Sequence, residues 1–159
     1  MKKIIQIFFL VLTINSFATA QVKVYKGTST YSSDVICTVE NGKVFKKSSS
    51  YTLDILCNVS KNRVYKGNSK YTSDVIYTIT DGKVYKGTSN YTSDIQFTIK
   101  DGKIYRGNSS YTNDILATIK DAKVYSGTSS YSSDIEFTID GNLTMEEFVA
   151  VWYVVKYYY

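Results

Sequence analysis

Four residue columns recur at fixed spacing and set the chemistry open to this chain. Asp stands at Asp34, Asp54, Asp74, Asp94, Asp114 and Asp134. Tyr stands at Tyr31, Tyr51, Tyr71, Tyr91, Tyr111 and Tyr131, and Ser two residues before each Tyr. Basic residues occupy Lys26, Lys46, Lys66, Lys86 and Arg106, with Ser126 in the sixth place. Carboxylates could serve as acid–base pairs or calcium ligands, tyrosines could stack on sugar rings, and a ring of cations could hold an anionic headgroup. Neighbouring copies of the Asp, two strands apart, lie roughly 10 Å from each other at ~4.8 Å per strand. That is too far to share one calcium, whose ligands sit at about 2.3–2.6 Å. Paired glycosidase carboxyls span about 6.5–9.5 Å, so spacing alone barely excludes them. Six equivalent acids with none differentiated argue against catalysis. The expected role of the Asp column is an Asx-type turn in the S-x-Y-x-S-D loop.

The plainer roles of the other columns are structural. The basic column is expected to pair with the Asp column, and each Tyr to pack over its own hairpin. The sequence has no His, which removes Ser-His-Asp triads, Cys-His catalysis and most zinc sites. The residues call for no catalytic group, metal or cofactor. Sixteen Tyr, seven Phe and one Trp are too many aromatics for a disordered chain. No Pro is present, which excludes collagen and PxxP ligands.

The columns belong to a strict period of 20 running from Lys23 to Asn142. The six units are 23–42, 43–62, 63–82, 83–102, 103–122 and 123–142, with the consensus K-V-Y-K-G-x-S-x-Y-x-S-D-I-x-x-T-I-x-D-G. Each holds two strand signals, KVYKG and DIxxTI, the second with period 2. Asn41-Gly42, Asp81-Gly82 and Asp101-Gly102 suit type I′ hairpins, in which both turn residues need φ > 0. Lys61-Asn62 and Asp121-Ala122 depart from this, so weaker or different turns are expected there. Around Asp81-Gly82 the register pairs Thr80 with Lys83, Ile79 with Val84, Thr78 with Tyr85 and Tyr77 with Lys86. One face then carries Val75, Tyr77, Ile79 and Val84, and must find a partner. The basic column lies nominally on that face and is expected to snorkel to its mouth.

The fold expected is all-β: a closed shallow barrel of six hairpins, about twelve short antiparallel strands. A hairpin β-solenoid is the alternative, although the Gly-Trp signature of the choline-binding solenoids is missing. Strands of about five residues are too short for a membrane-spanning barrel, which needs about 9–11. Thr144-Met145-Glu146-Glu147 is a capping box that opens a helix over about 145–157. That helix is apolar all round, so it should be surrounded, with Phe148, Val151, Trp152 and Val155 plugging the ring. A twelve-strand ring tilted by ~36–45° has a backbone diameter of about 23–26 Å, which leaves room for one helix. The helix should enter from the turn end, bringing Tyr157–Tyr159 and the terminal carboxylate near the basic collar. Cys37 and Cys57 occupy equivalent positions nearly 10 Å apart in a ring, beyond the ~7 Å a disulfide allows. They are expected as free core residues.

Residues 1–20 read as a leader: Lys2 and Lys3, an apolar run from Ile4 to Ile14, then Ala18-Thr19-Ala20 as a cleavage site. Export to the periplasm, cell surface or medium is expected, with residues 21–159 as one domain and no transmembrane span. The net charge of +5 becomes +3 without the two leader lysines, which calls for no nucleic-acid partner.

The tandem VYKG…SDI…TIxDG hairpins and the LTMEEFVAVWYVVKYYY tail resemble the bacterial β-flower proteins, over Lys23 to Tyr159. That family is similar to the tubby C-terminal-like fold, a barrel around a hydrophobic helix, some of whose members bind membrane phosphoinositides. The resemblance implies membrane lipid as a partner and carries over no catalytic or lipid-binding residue. A non-enzymatic module at a membrane surface is therefore the first functional expectation. A multivalent glycan-binding or adhesive protein, using the Ser/Tyr/Asp loops, is the second.

Overall fold

The computed structural model describes residues 21–159, and the expected leader lies outside them. Each repeat folds into two strands joined by a long loop, and successive repeats are joined by tight turns. The strands are β1 (Val22–Lys26), β2 (Val35–Glu40), β3 (Lys43–Lys46), β4 (Ile55–Ser60), β5 (Arg63–Lys66) and β6 (Val75–Thr80). They continue as β7 (Lys83–Lys86), β8 (Ile95–Lys100), β9 (Lys103–Arg106), β10 (Ile115–Lys120), β11 (Lys123–Ser126) and β12 (Ile135–Asp140). All pair antiparallel in chain order, and β1 closes on β12 through Lys23–Asp140, Val24–Ile139, Tyr25–Thr138 and Lys26–Phe137. Closure leaves no edge strand unpaired. The ring, not the solenoid, is the fold.

The turn-derived register holds: Thr80 pairs with Lys83, Ile79 with Val84, Thr78 with Tyr85 and Tyr77 with Lys86. One face assignment does not hold. In the other pairing of each strand the register slips by one residue, so that Val64 faces Tyr77 but Tyr65 faces Val75. The same bulge recurs beside β1, β3, β7, β9 and β11. A bulge turns two successive side chains to one side. Val75 therefore shares the outer face with Tyr65, and Ile76 packs against the inner core in its place. The outer pairs Tyr25–Val35 and Phe45–Ile55 are buried as well, a thin second layer of apolar contact outside the ring.

Asn41, Asp81 and Asp101 have φ near +50°, and the Gly after each has φ near +70°, as a type I′ turn requires. A Cβ on Gly82 would meet the Ile99 carbonyl oxygen at 2.5 Å, so that glycine is needed for space as well as for φ. The turn at Asp121-Ala122 keeps this conformation in spite of its Ala, with φ of 51° and 59°, contrary to the expected departure. Only Lys61-Asn62 differs, because Asn62 leaves the left-handed region and donates its amide to Ile79 O at 3.0 Å. A non-glycine residue in the left-handed region costs about 1–2 kcal/mol. Ala122→Gly should accordingly raise unfolding stability by about 1 kcal/mol, read as a higher denaturant midpoint with an unchanged slope.

The helix α1 (Met145–Tyr158) fills the ring. Its capping box forms as expected: Glu147 N–H donates to Thr144 Oγ1 at 3.2 Å, and Thr144 N–H donates to Glu147 Oε2 at 3.0 Å. Phe148, Val149, Ala150, Val151, Trp152 and Val154 are buried on all sides of it, and Val155 is partly buried against the same core. The helix sits off-centre, against β2–β5. The inner residues explain this. Cys37 and Cys57 are small and let the helix approach, while Tyr77, Phe97 and Phe137 fill the opposite wall. Trp152 lies between Phe97 and Phe137, 6.3 and 6.4 Å from their ring centroids.

Cys37 and Cys57 are unbridged and fully buried, and the Cys57 thiol lies 3.8 Å from Ala150 O. Burial pushes the Cys37 thiol up to about 12, from an ordinary 9.0. Cys57 is pushed up further, by burial and by Cys37 beside it. Above about pH 9 the unfolded chain gives up these protons while the folded chain keeps them. The unfolded state then binds fewer protons, so stability falls as pH rises, by about 1.4 kcal/mol per pH unit per thiol. The loss starts near 9 and runs up to the folded value. Denaturant midpoints at about pH 8 and about pH 10 should show this fall, and replacing both cysteines with Ala should make it markedly shallower.

Candidate functional site: the loop rim

Six equivalent loops project from one end of the barrel, each built on the same hydrogen bonds. In the fourth repeat Ser89 Oγ donates to Asp94 Oδ2 at 2.5 Å and accepts from Tyr91 N–H at 3.1 Å. The Asp94 N–H donates to Tyr91 O at 2.9 Å, closing a short 3₁₀ turn over Thr92–Asp94. Thr78, on the adjacent strand β6, donates to Gly87 O at 2.8 Å and ties the loop to the barrel wall. In the third repeat Asn58 does this work with two bonds, to Gly67 O and Ser69 O, both 2.8 Å. The turn is thus made by the serine, and the Asp carboxylate accepts from it. This corrects the Asx-type role expected for Asp34, Asp54, Asp74, Asp94, Asp114 and Asp134. The signal was present in the sequence as Ser and Asp five residues apart in every copy.

That bonding leaves the tyrosines outside. Tyr31, Tyr51, Tyr71, Tyr91, Tyr111 and Tyr131 are 71–77% exposed, which corrects the expectation that each packs over its own hairpin. Their backbones are fixed while their rings stand free. Leu53, beside Tyr51, is 98% exposed. Lys26, Lys46, Lys66, Lys86 and Arg106 are exposed too, at the mouth of the ring. They do not pair with the Asp column: the sole ion pair within 4 Å among the described residues joins Lys156 to Glu136, at 2.6 Å. The carboxylates are occupied by serine, and the cations are free to reach solvent. On the rim as a whole the charges nearly cancel. The loops, the mouth and the end of α1 carry eight basic side chains, including Lys47, Lys70 and Lys156, against the six Asp and Glu136.

The helix ends at this same rim. Tyr158 and Tyr159 border a pocket with Lys46, Lys47 and Leu56. Burial first, and then the neighbouring Tyr157 side chain, hold Tyr77 well above the usual tyrosine range. Tyr153 stacks against Tyr157 at 4.9 Å, and burial pushes its hydroxyl up to about 12. Tyr157, Tyr158 and Tyr159 are themselves 45–68% exposed. One end of the molecule therefore displays nine exposed tyrosines.

The 6-fold β-flower model matches residues 24–152. The chain belongs to the six-fold β-flower family. The match spans the hairpins and runs into the plugging helix as far as residue 152. No curated protein matches the chain. Among solved structures, an Arabidopsis thaliana protein aligns at 13% identity and a TM-score of 0.47, over 87% of this chain and 90% of that one. No helix among the described residues is long and apolar enough to cross a membrane.

Proposed function

We propose that this β-flower protein is an exported, non-enzymatic module that docks flat on a membrane surface through its loop rim. The observation that carries the reading is the ring of six tyrosines, each more than two-thirds exposed, on six equivalent loops. Symmetry puts equivalent groups on a circle, and a circle of contacts engages all at once only on a flat surface. Tyrosine suits the membrane interface, where its ring meets apolar matter and its hydroxyl stays wet. Leu53 adds one apolar side chain at the same level. Six weak contacts on one rigid frame act as a multivalent set, so affinity rises far above that of one loop. The basic residues at the mouth contact lipid phosphates, but the near-neutral rim makes long-range attraction small.

The test is flotation of the protein with vesicles of zwitterionic and of anionic lipid, at low and at high salt. Flotation with both, weakened only modestly by salt, is the expected result. Flotation confined to anionic vesicles and lost at high salt moves the weight from the tyrosines to the Lys26–Arg106 collar. No flotation with any vesicle overturns the reading and leaves the tyrosine ring to stacking on an extended glycan.

A further inference from the structure

In a chain of six equal units, a position that breaks the pattern without need is informative. Three such breaks line one crevice at the loop end of the barrel. Gln96 and Glu136 stand where the bulge column otherwise holds Ile36, Leu56, Ile76 and Leu116. Ser126 stands where the mouth column otherwise holds a cation. All three lie on the β8–β12 side, the side the off-centre helix leaves open. Together with Leu116, Lys156 and Tyr157 they border a crevice of about 420 Å³, floored by Trp152 and Phe97. That volume lies within the range of about 300–1,000 Å³ typical of small-molecule sites.

The chemistry of the crevice is specific. Its two charges are paired with each other: Lys156 Nζ lies 2.6 Å from Glu136 Oε2 and 4.5 Å above the Trp152 ring. A net ionic ligand would have to break that pair, so the crevice favours a neutral one. The pair still offers donors on the ammonium and acceptor lone pairs on the carboxylate. Gln96, exposed, commits one N–H to Asp94 O at 3.3 Å and presents the rest of its amide. Ser126 presents a hydroxyl and is exposed. Tyr157 stands at the edge with its ring 68% exposed. Mixed donors and acceptors of no net charge, beside an exposed aromatic ring, match a ligand whose hydroxyls both donate and accept and whose C–H face is apolar. The geometry points to a carbohydrate subsite here, sized for one pyranose unit and distinct from the tyrosine ring.

Trp152 is the only tryptophan of the chain, and it forms the floor of the crevice. Its emission therefore reports on the site directly. The full chain is titrated with the methyl glycosides of glucose, galactose, mannose and N-acetylglucosamine, under excitation selective for tryptophan. At least one should give a saturable change with a Kd on the order of 1 mM. Gln96→Ile and Ser126→Lys each restore the repeat pattern and should weaken that binding tenfold or more, while thermal melts stay near that of the parent. Unchanged emission with every sugar overturns the inference. So does a titration that both variants leave as it was. Vesicle flotation reads the tyrosine ring and this titration reads the crevice, so failure of one is distinguishable from failure of the other.

Discussion

Removal of Met145–Tyr159 is expected to abolish cooperative unfolding and drive the remaining ring to aggregate. The helix contributes Phe148, Val149, Ala150, Val151, Trp152 and Val154 to the core, none more than 7% exposed. Burying a large apolar side chain stabilises by about 1.5–3 kcal/mol, so the five larger ones together contribute on the order of 10 kcal/mol. A domain of this size has only about 5–15 kcal/mol in total. Without the helix, the inner faces of twelve strands would also line a water-filled hole. A single change makes the same point with less disturbance. Val151→Asp places a carboxylate at a site with no exposure, which costs at least several kcal/mol. Circular dichroism melts and size-exclusion chromatography give the answer. A truncated chain that stays monomeric and melts like the parent would mean that the barrel holds itself without the helix.

Replacing Tyr31, Tyr51, Tyr71, Tyr91, Tyr111 and Tyr131 together by Ser should cost more than 100-fold in vesicle partitioning and almost nothing in stability. The rings are exposed, and exposed substitutions fall within about 0.5 kcal/mol each. The loop is held by Ser Oγ, by the Asp carboxylate and by backbone groups, none of which the change removes. The loss in partitioning is multiplicative because the six contacts act on one frame. Changing one or two tyrosines should therefore cost several-fold, and the effect should steepen as more are removed. A six-fold variant that floats like the parent would show that the rings take no part.

Much of this architecture was legible because a tandem repeat states each rule six times. Asn-Gly and Asp-Gly fixed the turns, the turns fixed the register, and the register put Val24, Val44, Val64 and Val84 inside. The bulge was missed because the pairing was extended from one neighbour only. Its signal lies in Val35-Ile36, Ile55-Leu56, Val75-Ile76 and Ile115-Leu116, adjacent apolar pairs that break the alternation of a strand. The helix was legible from its capping box and its apolar circumference. Its off-centre seat was not, although the contrast between Cys37 or Cys57 and Phe97 or Phe137 encodes it. At the rim, the basic column is exposed, and the carboxylates expected to neutralise it are bonded to serine instead. Two structural roles assigned from local sequence thus fell to one side-chain hydrogen bond, Ser to Asp, that outcompeted both. The crevice is legible only in the folded barrel, because Gln96 comes from the fourth repeat, Ser126 and Glu136 from the sixth, and Trp152 and Lys156 from the helix.

The most direct test of the membrane reading asks which end of the barrel meets the lipid. Cys37 and Cys57 are buried and poorly ionised, so an introduced surface cysteine is labelled selectively. An environment-sensitive fluorophore is attached at Asn113→Cys, on a loop, or at Lys100→Cys, at the turn end, both exposed positions. On addition of vesicles, emission from the loop label should shift to the blue while that from the turn label stays unchanged. A shift at the turn label alone, or at neither label, would contradict docking through the tyrosine rim.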